Sequence, residues 1–164
     1  MDDPPDRGYS RAPELEDLLS LCAALNREGA RYLLIGGFAV ILHGYVRGTK
    51  DIDLLVDTSP ENVQAVKRAL STLPDNAVAA VADDEIGKYQ VVRVADEIVI
   101  DLMAAACGID YAQAAVEGIE RREVEGVSIP VASKPLLIRM KQTVRDSDRA
   151  DVQFLRLRLE EDER

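Results

Sequence analysis

Residues 33–40 read LLIGGFAV, and residues 47–54 read RGTKDIDL. The first segment is a short apolar run that ends in the pair Gly36-Gly37, and the second opens a strand-like run over Asp51–Val56. A glycine turn that leads from a strand into a helix presents unobstructed backbone N–H groups, which bind phosphate oxygens. The two segments therefore predict a phosphate-binding turn followed by a second strand.

Two carboxylates lie at the start of that second strand. Asp51 and Asp53 are two residues apart, so both side chains project from the same face of a strand. Like charges held this close repel each other unless a cation lies between them. Mg²⁺ prefers carboxylate oxygens and keeps coordination positions for water and substrate phosphate. The pair predicts a magnesium site, and the alternative is two solvated aspartates on an edge strand.

A third acid lies in the most apolar strand of the sequence. Asp101 is the only charged residue between Ile98 and Met103, and burying it without a partner would cost on the order of several kcal/mol. It either joins Asp51 and Asp53 in a three-carboxylate metal site or pairs with an interior lysine or arginine. The first arrangement matches the two-metal chemistry of phosphoryl and nucleotidyl transfer.

Cationic residues accompany these acids. Arg47 and Lys50 precede Asp51 closely, and they either contact substrate phosphates or only balance the carboxylates. A helix predicted from Ser133 to about Val144 carries three cations along one stripe: Lys134, Lys141 and Arg145. This stripe is either a basic wall for phosphates or an ordinary solvated face.

The composition indicates a globular domain whose chemistry relies on carboxylates. The chain has 164 residues, 47% of them hydrophobic and 30% charged, with a formal net charge of -10. Residues 1–12 predict a flexible N-terminal arm, and residues 13–164 have the length of one domain. The acidic excess disfavours non-specific binding to nucleic acid. One histidine and two cysteines exclude multi-histidine metal sites, cysteine zinc sites and a disulfide framework.

The sequence also predicts a cytoplasmic protein without membrane contact. No apolar run reaches the length of a membrane-spanning helix, and the first residues are acidic where a signal peptide is basic. The low cysteine content fits a reducing compartment.

The order of elements predicts an α/β (α+β) fold, in which helices pack on a mixed β-sheet. The first half of the chain alternates helices and strands: helix 13–28, strand 32–35, a short helix ending near Gly44, strand 51–56, and a helix from Pro60. Two hairpins follow, with connections at Ala95-Asp96 and Glu125-Gly126, and two helices end the chain. Strands joined this closely disfavour a purely parallel sheet, because they leave no room for helical crossovers.

Residues 30–155 resemble the nucleotidyltransferase superfamily, typified by DNA polymerase β and kanamycin nucleotidyltransferase. The shared pattern consists of Gly36-Gly37, then Asp51-Ile52-Asp53 after a short helix, then the lone strand aspartate Asp101. The resemblance implies that the glycine pair binds phosphates and that the three aspartates are catalytic metal ligands. Many members of this superfamily carry a serine at the position of Gly37, where its hydroxyl contacts a phosphate.

A longer pattern resembles one group of small bacterial proteins, the relatives of the AbiEii toxin of abortive-infection systems. Residues 36–53 contain GGFA, HG and RGTKDID, and Lys141 is followed by an R-x-x-D-x-x-D pattern ending at Asp151. The resemblance marks Lys141 as a candidate phosphate contact, in addition to Arg47 and Lys50, which flank the acids. It also implies a link to a toxin–antitoxin or phage-defence pair.

The resulting hypothesis is a Mg²⁺-dependent nucleotidyltransferase, with two ions, that moves a nucleoside monophosphate from an NTP to an acceptor hydroxyl and releases pyrophosphate. The acceptor is a small molecule, a tRNA or a protein. The chain is short for this superfamily, so either its two C-terminal helices or a second subunit, in a homo-oligomer or with a partner protein, would supply the acceptor site. Two alternatives stay open: a catalytically silent binding or regulatory module of the same fold, and, more weakly, a nucleotide-dependent oxidoreductase.

Overall fold

A mixed β-sheet of six strands forms the centre of the computed structural model, which describes residues 10–164. The strands are β1 (Tyr32–Ile35), β2 (Asp51–Val56), β3 (Val92–Ala95), β4 (Val99–Met103), β5 (Ala105–Ala106), β6 (Ile109–Asp110), β7 (Ile119–Val124) and β8 (Val127–Ala132). Strands β5 and β6 form a separate two-stranded sheet. The order in the large sheet is β3-β4-β2-β1-β8-β7. Its β1–β8 and β2–β4 pairs are parallel and the other pairs are antiparallel, which confirms the predicted mixed sheet.

Helices cover this sheet. They are α1 (Leu15–Arg27), α2 (Gly36–Leu42), α3 (Pro60–Leu70), α4 (Glu85–Lys88), α5 (Tyr111–Glu117), α6 (Lys134–Met140) and α7 (Asp146–Asp162), with one 3-10 turn (Ala77–Ala80). Helix α1 packs against α3 and β8, and α6 packs against α7. All four residues of β1 are buried, so the middle of the sheet is covered on both faces.

The pairing of β2 with its two neighbours brings three distant parts of the chain together. Asp53 of β2 lies opposite Ile35, the last residue of β1, and opposite Asp101 of β4. Helix α2 begins immediately after Ile35, at Gly36. The glycine turn and the aspartates predicted to form one site therefore meet at one end of the two central strands.

The first hairpin differs from the prediction. Its connection is Asp96–Ile98 rather than Ala95-Asp96, because the buried carboxylate of Asp96 accepts backbone N–H bonds from the loop that follows α3 and from Glu97. This pairing places Arg93 directly opposite Asp101. The second hairpin has the predicted two-residue turn, with positive φ at both Glu125 and Gly126, as a type I′ turn requires.

The predicted stripe of cations at the C-terminal end does not form. Helix α6 ends at Met140, and Lys141 turns inward, where its side chain is buried. Lys134 instead pairs with Asp162 at the far end of α7. The prediction of a stripe is wrong because α6 ends before Lys141, and no residue pattern in this part of the sequence marks that end.

Residues 1–9 of the predicted N-terminal arm lie outside the described residues. The described part of the arm contacts the first hairpin: the Ser10 hydroxyl donates to the Asp96 carbonyl, and the backbone N–H of Arg11 donates to the Glu97 carbonyl. Within residues 10–164, no helix has the length and apolar character needed to cross a lipid bilayer.

A buried group of charges attaches α7 to the rest of the molecule. Asp151, only 1% exposed, accepts contacts from Arg47 Nη1 at 2.8 Å and from Lys141 Nζ at 3.0 Å. Lys141 also contacts Asp148 at 3.2 Å, and the Thr143 hydroxyl donates to the same carboxylate. These contacts join α7 to the end of α6 and to the loop before β2.

Replacing Asp151 with alanine is expected to lower the free energy of unfolding by about 3–5 kcal/mol, because it leaves Arg47 and the buried Lys141 without their shared carboxylate. Urea denaturation monitored by circular dichroism would measure the change. Glu160→Ala, on an exposed position of the same helix, is the matched control and should change stability by less than about 0.5 kcal/mol. Equal stabilities for the two variants would contradict a stabilising role for the buried charges.

Candidate active site

Three carboxylates converge where β2 and β4 lie side by side. Each of Asp51, Asp53 and Asp101 offers an oxygen atom that lies within 4.8 Å of the others. Asp101 is 6% exposed, and the other two are partly buried. Parallel pairing of the two strands, with Asp53 opposite Asp101, produces this arrangement.

The cluster is electrostatically unfavourable when it holds no cation. Burial, together with the charges of Asp51 and Asp101, raises the pKa of Asp53 from 3.8 to about 8. Three clustered carboxylate oxygens are the ligands that a hard divalent cation such as Mg²⁺ prefers. The donor set therefore fits a magnesium site, because a cation would remove the repulsion that now keeps a proton on Asp53.

Gly36 supports this cluster directly. Its φ is +74°, a conformation that favours glycine, and a Cβ atom there would lie 2.0 Å from Asp53 Oδ2. The turn and the carboxylate are therefore in contact, and only glycine leaves room for Asp53. Helix α2 starts at this point without a side-chain cap, so no capping side chain occupies its first backbone N–H groups.

The surroundings of Gly37 explain why the chain lacks the serine common in the superfamily it resembles. A Cβ atom at Gly37 would lie 2.8 Å from the Thr49 hydroxyl and 3.2 Å from Arg47 Nη1. The space for a larger side chain is thus already filled by two residues from the loop before β2.

The predicted cationic residues lie around the carboxylates but differ in their freedom. A cavity of about 260 Å³ is lined by Asp51, Asp53 and Asp101, and we call it the acid-containing cavity. Lys141 also lines it, and Asp148 and Asp151 hold the ammonium group of this lysine. Arg47 reaches past Gly37 to Asp151.

Lys50 is exposed and forms no salt bridge with another described residue. It lines a neighbouring cavity of about 630 Å³ together with Asp51 and Arg145. Arg145 also lines the acid-containing cavity, so the two cavities share a basic border.

Arg93 is a residue of the candidate site that no sequence pattern indicates. Its Nε and Nη2 atoms donate to the two oxygens of Asp101, each at 2.9 Å, and Nη2 also lies 3.3 Å from Asp51 Oδ2. Both arrangements considered for Asp101 thus occur together, since it lies in the carboxylate cluster and also pairs with an arginine. The correct register of the first hairpin is the signal that would have found Arg93.

Comparisons with known proteins identify the fold. No protein-family model matches the sequence, and no curated protein matches it significantly. The lincosamide antibiotic adenylyltransferase LnuA, in its lincomycin-bound structure, is similar over 89% of this chain and 98% of its own, with a TM-score of 0.56 and 18% sequence identity.

Two further structures agree with this result. One is a putative nucleotidyltransferase from Thermotoga maritima, similar over 92% of this chain and 93% of its own, with a TM-score of 0.52 and 19% identity. The other is an antigenic nucleotidyltransferase-like protein from Paracoccidioides brasiliensis, similar over 90% and 77%, with a TM-score of 0.54 and 15% identity. The closer resemblance to AbiEii-related proteins stays a prediction. The chain has the nucleotidyltransferase fold, which confirms the predicted fold.

Asp53→Asn is expected to stabilise the metal-free protein at pH 8 and above, by a few degrees in Tm, because it removes one of three repelling charges. The pKa of Asp53 is higher in the folded state than in the unfolded state, so the folded protein retains its proton between about pH 4 and pH 8. The stability from this group is therefore present at low pH and lost as the pH rises through that window. Thermal melts in EDTA across this range would show a smaller fall for the variant.

The control is Asp57→Asn at the end of the same strand. Hydrogen bonds from Arg31 and Ser59 hold the pKa of Asp57 below its usual value, although burial acts in the opposite direction. This variant should therefore be less stable than the native chain at neutral pH. A metal-free Asp53→Asn protein that melts below the native protein at pH 8 would contradict the repulsion described above.

Proposed function

We propose that this protein is a Mg²⁺-dependent nucleotidyltransferase that transfers a nucleoside monophosphate from an NTP to an acceptor hydroxyl and releases pyrophosphate. The observation that carries the proposal is the convergence of Asp51, Asp53 and Asp101 beside the turn at Gly36 and Gly37. The nucleotidyltransferase fold supports this proposal, because proteins of one fold often share a type of reaction. The arrangement of side chains at the site is what determines the reaction.

The reaction is an in-line displacement at the α-phosphorus. The acceptor oxygen forms a bond to phosphorus, the bond from phosphorus to the oxygen that bridges to the β-phosphate breaks, and pyrophosphate leaves with that electron pair. Asp101 accepts the hydroxyl proton. Two magnesium ions held by Asp51, Asp53 and Asp101 would neutralise phosphate charge and make the acceptor hydroxyl more acidic.

The chain offers several donors to the phosphates. The backbone N–H groups of Gly36 and Gly37, at the uncapped start of α2, would donate to phosphate oxygens. Lys50 is exposed at the basic border of the site, and Arg47 and Lys141 each have N–H donors beyond those that Asp151 uses. The triphosphate would thus extend from the carboxylates toward the cavity lined by Lys50.

A small hydroxylated molecule is the acceptor class we favour over a tRNA or a protein. LnuA acts on lincosamide antibiotics and was determined with lincomycin bound. In this chain, a groove of about 440 Å³ lies between residues 141–143 and α7, within the size range of small-molecule sites. Lys141 and Thr143 line both this groove and the acid-containing cavity, so an acceptor in the groove would lie next to the carboxylates.

A catalytically silent binding module, within a toxin–antitoxin or phage-defence pair, is the second candidate. The observation that favours it is the contact of Arg93 with two of the three carboxylates, which reduces their capacity for a metal. A homo-oligomer or a partner protein would fit either candidate. We place the protein in the cytoplasm, where NTPs are available and where its two unpaired cysteines, Cys22 and Cys107, stay reduced.

Isothermal titration calorimetry with each of the four NTPs, with and without Mg²⁺, tests the proposal. We expect binding that requires Mg²⁺ and disappears in the Asp51→Asn/Asp53→Asn variant, because the variant loses two of the three carboxylates. Nucleotidyl transfer from labelled NTP to a panel of small hydroxylated acceptors should fall by about a thousandfold or more in this variant.

The matched control is Asp83→Asn/Asp84→Asn, which removes two exposed carboxylates elsewhere on the surface and should bind NTP as the native chain does. Failure of the native chain to bind any NTP in the presence of Mg²⁺ would refute the proposed nucleotidyltransferase activity. In that case, a search for a partner protein would test the silent module.

A further inference from the structure

The guanidinium of Arg93 lies where the carboxylate cluster needs positive charge. Arg93, Asp101 and Asp53 are direct neighbours across β3, β4 and β2, and Asp51 lies two residues from Asp53 on the same strand face. Arg93 donates to both oxygens of Asp101, and its Nη2 atom also approaches Asp51. One side chain therefore contacts two of the three acids that the proposed function assigns to the metals.

We propose that Arg93 competes with the divalent cation: it is the counter-ion of Asp51 and Asp101 in the metal-free protein, and metal binding displaces it from both. The inference rests on the proposed function, because it concerns the same metal site. Arg93 is thus a positioning residue that sets the metal affinity of the cluster and holds Asp101 in place until the metal binds.

The location of Arg93 makes this exchange feasible. Its strand, β3, is at the edge of the sheet, and its side chain is 59% exposed, whereas that of Asp101 is 9% exposed. An exposed guanidinium regains water when it leaves its partner, while the nearly buried carboxylate does not. Asp101 therefore needs a replacement cation, and the metal would supply it.

The structure also offers space for the displaced side chain of Arg93. It lines the acid-containing cavity and a second cavity of about 480 Å³, which Asp51, Lys50 and Arg11 also line. Its remaining nitrogen, Nη1, makes no hydrogen bond with another described residue. A displaced guanidinium would thus stay at the entrance of the site, where the phosphates of an incoming NTP carry negative charge.

Competition makes a prediction that a purely structural role does not. If Arg93 only orders Asp101, its removal should weaken metal binding, because the ligand becomes mobile. If Arg93 repels and competes with the cation, its removal should strengthen metal binding, because a like charge a few ångströms away disappears.

The experiment is Mn²⁺ binding to the full chain, measured by calorimetry and by electron paramagnetic resonance of free Mn²⁺. We expect Arg93→Gln to bind Mn²⁺ about tenfold more tightly than the native chain, and Arg93→Lys, which keeps the charge, to stay within about threefold of it. The metal-free Arg93→Gln protein should melt at a lower temperature and gain more from Mn²⁺. Arg68→Gln is the matched control and should leave Mn²⁺ affinity unchanged, since Arg68 is similarly exposed and pairs with Glu28 away from the three carboxylates.

A second measurement uses only the folded native chain. The ¹H–¹⁵Nε signal of Arg93, assigned through its loss in Arg93→Lys, should shift on saturation with Mg²⁺ as the bond to Asp101 breaks. An unchanged signal, or Mn²⁺ affinity in Arg93→Gln that is equal to or weaker than in the native chain, would overturn the competition while leaving the enzyme intact. Absence of Mn²⁺ binding in every protein would overturn both the competition and the metal-dependent function.

Discussion

Mutual repulsion among three carboxylates is the constraint around which this end of the molecule is organised. Parallel pairing of β2 with β4 fixes Asp53 beside Asp101, and the strand period brings Asp51 to the same face. Burial of the surrounding strands prevents water from weakening the repulsion. A fold that holds acids this way stores binding energy for a cation, because the charge that destabilises the empty site is the charge that attracts the metal.

The cations near this cluster belong to two groups that differ in what holds them. Arg47 and Lys141 are tied by the buried carboxylate of Asp151, which fixes their positions as part of the protein interior. Arg93 and Lys50 lie at the surface, where solvent competes for their charge. Similar residue types therefore have different capacities for movement, and burial of the cationic side chain itself is what separates them.

The sequence alone predicts the part of the site that depends on local rules. The strand period places Asp51 and Asp53 on one face, and the cost of an isolated acid in an apolar strand identifies Asp101. The role of Arg93 depends on a hairpin register that Asp96 sets through bonds to a loop about twenty residues earlier. Lys141 was expected on a helix surface, and its inward position results from acids in the next helix, which no local pattern reveals.

The contact between Gly36 and Asp53 couples the substitutions that these two positions can accept. A side chain larger than hydrogen at position 36 would overlap the carboxylate at position 53, so the glycine can change only when the acid shortens, moves or is lost. In turn, an aspartate at position 53 fits only when position 36 is glycine. Loss of the carboxylate would remove this overlap but not the backbone constraint, because the positive φ at position 36 still favours glycine. In descendants of this chain that lose the acid, the glycine is therefore expected to remain as the trace of the former site.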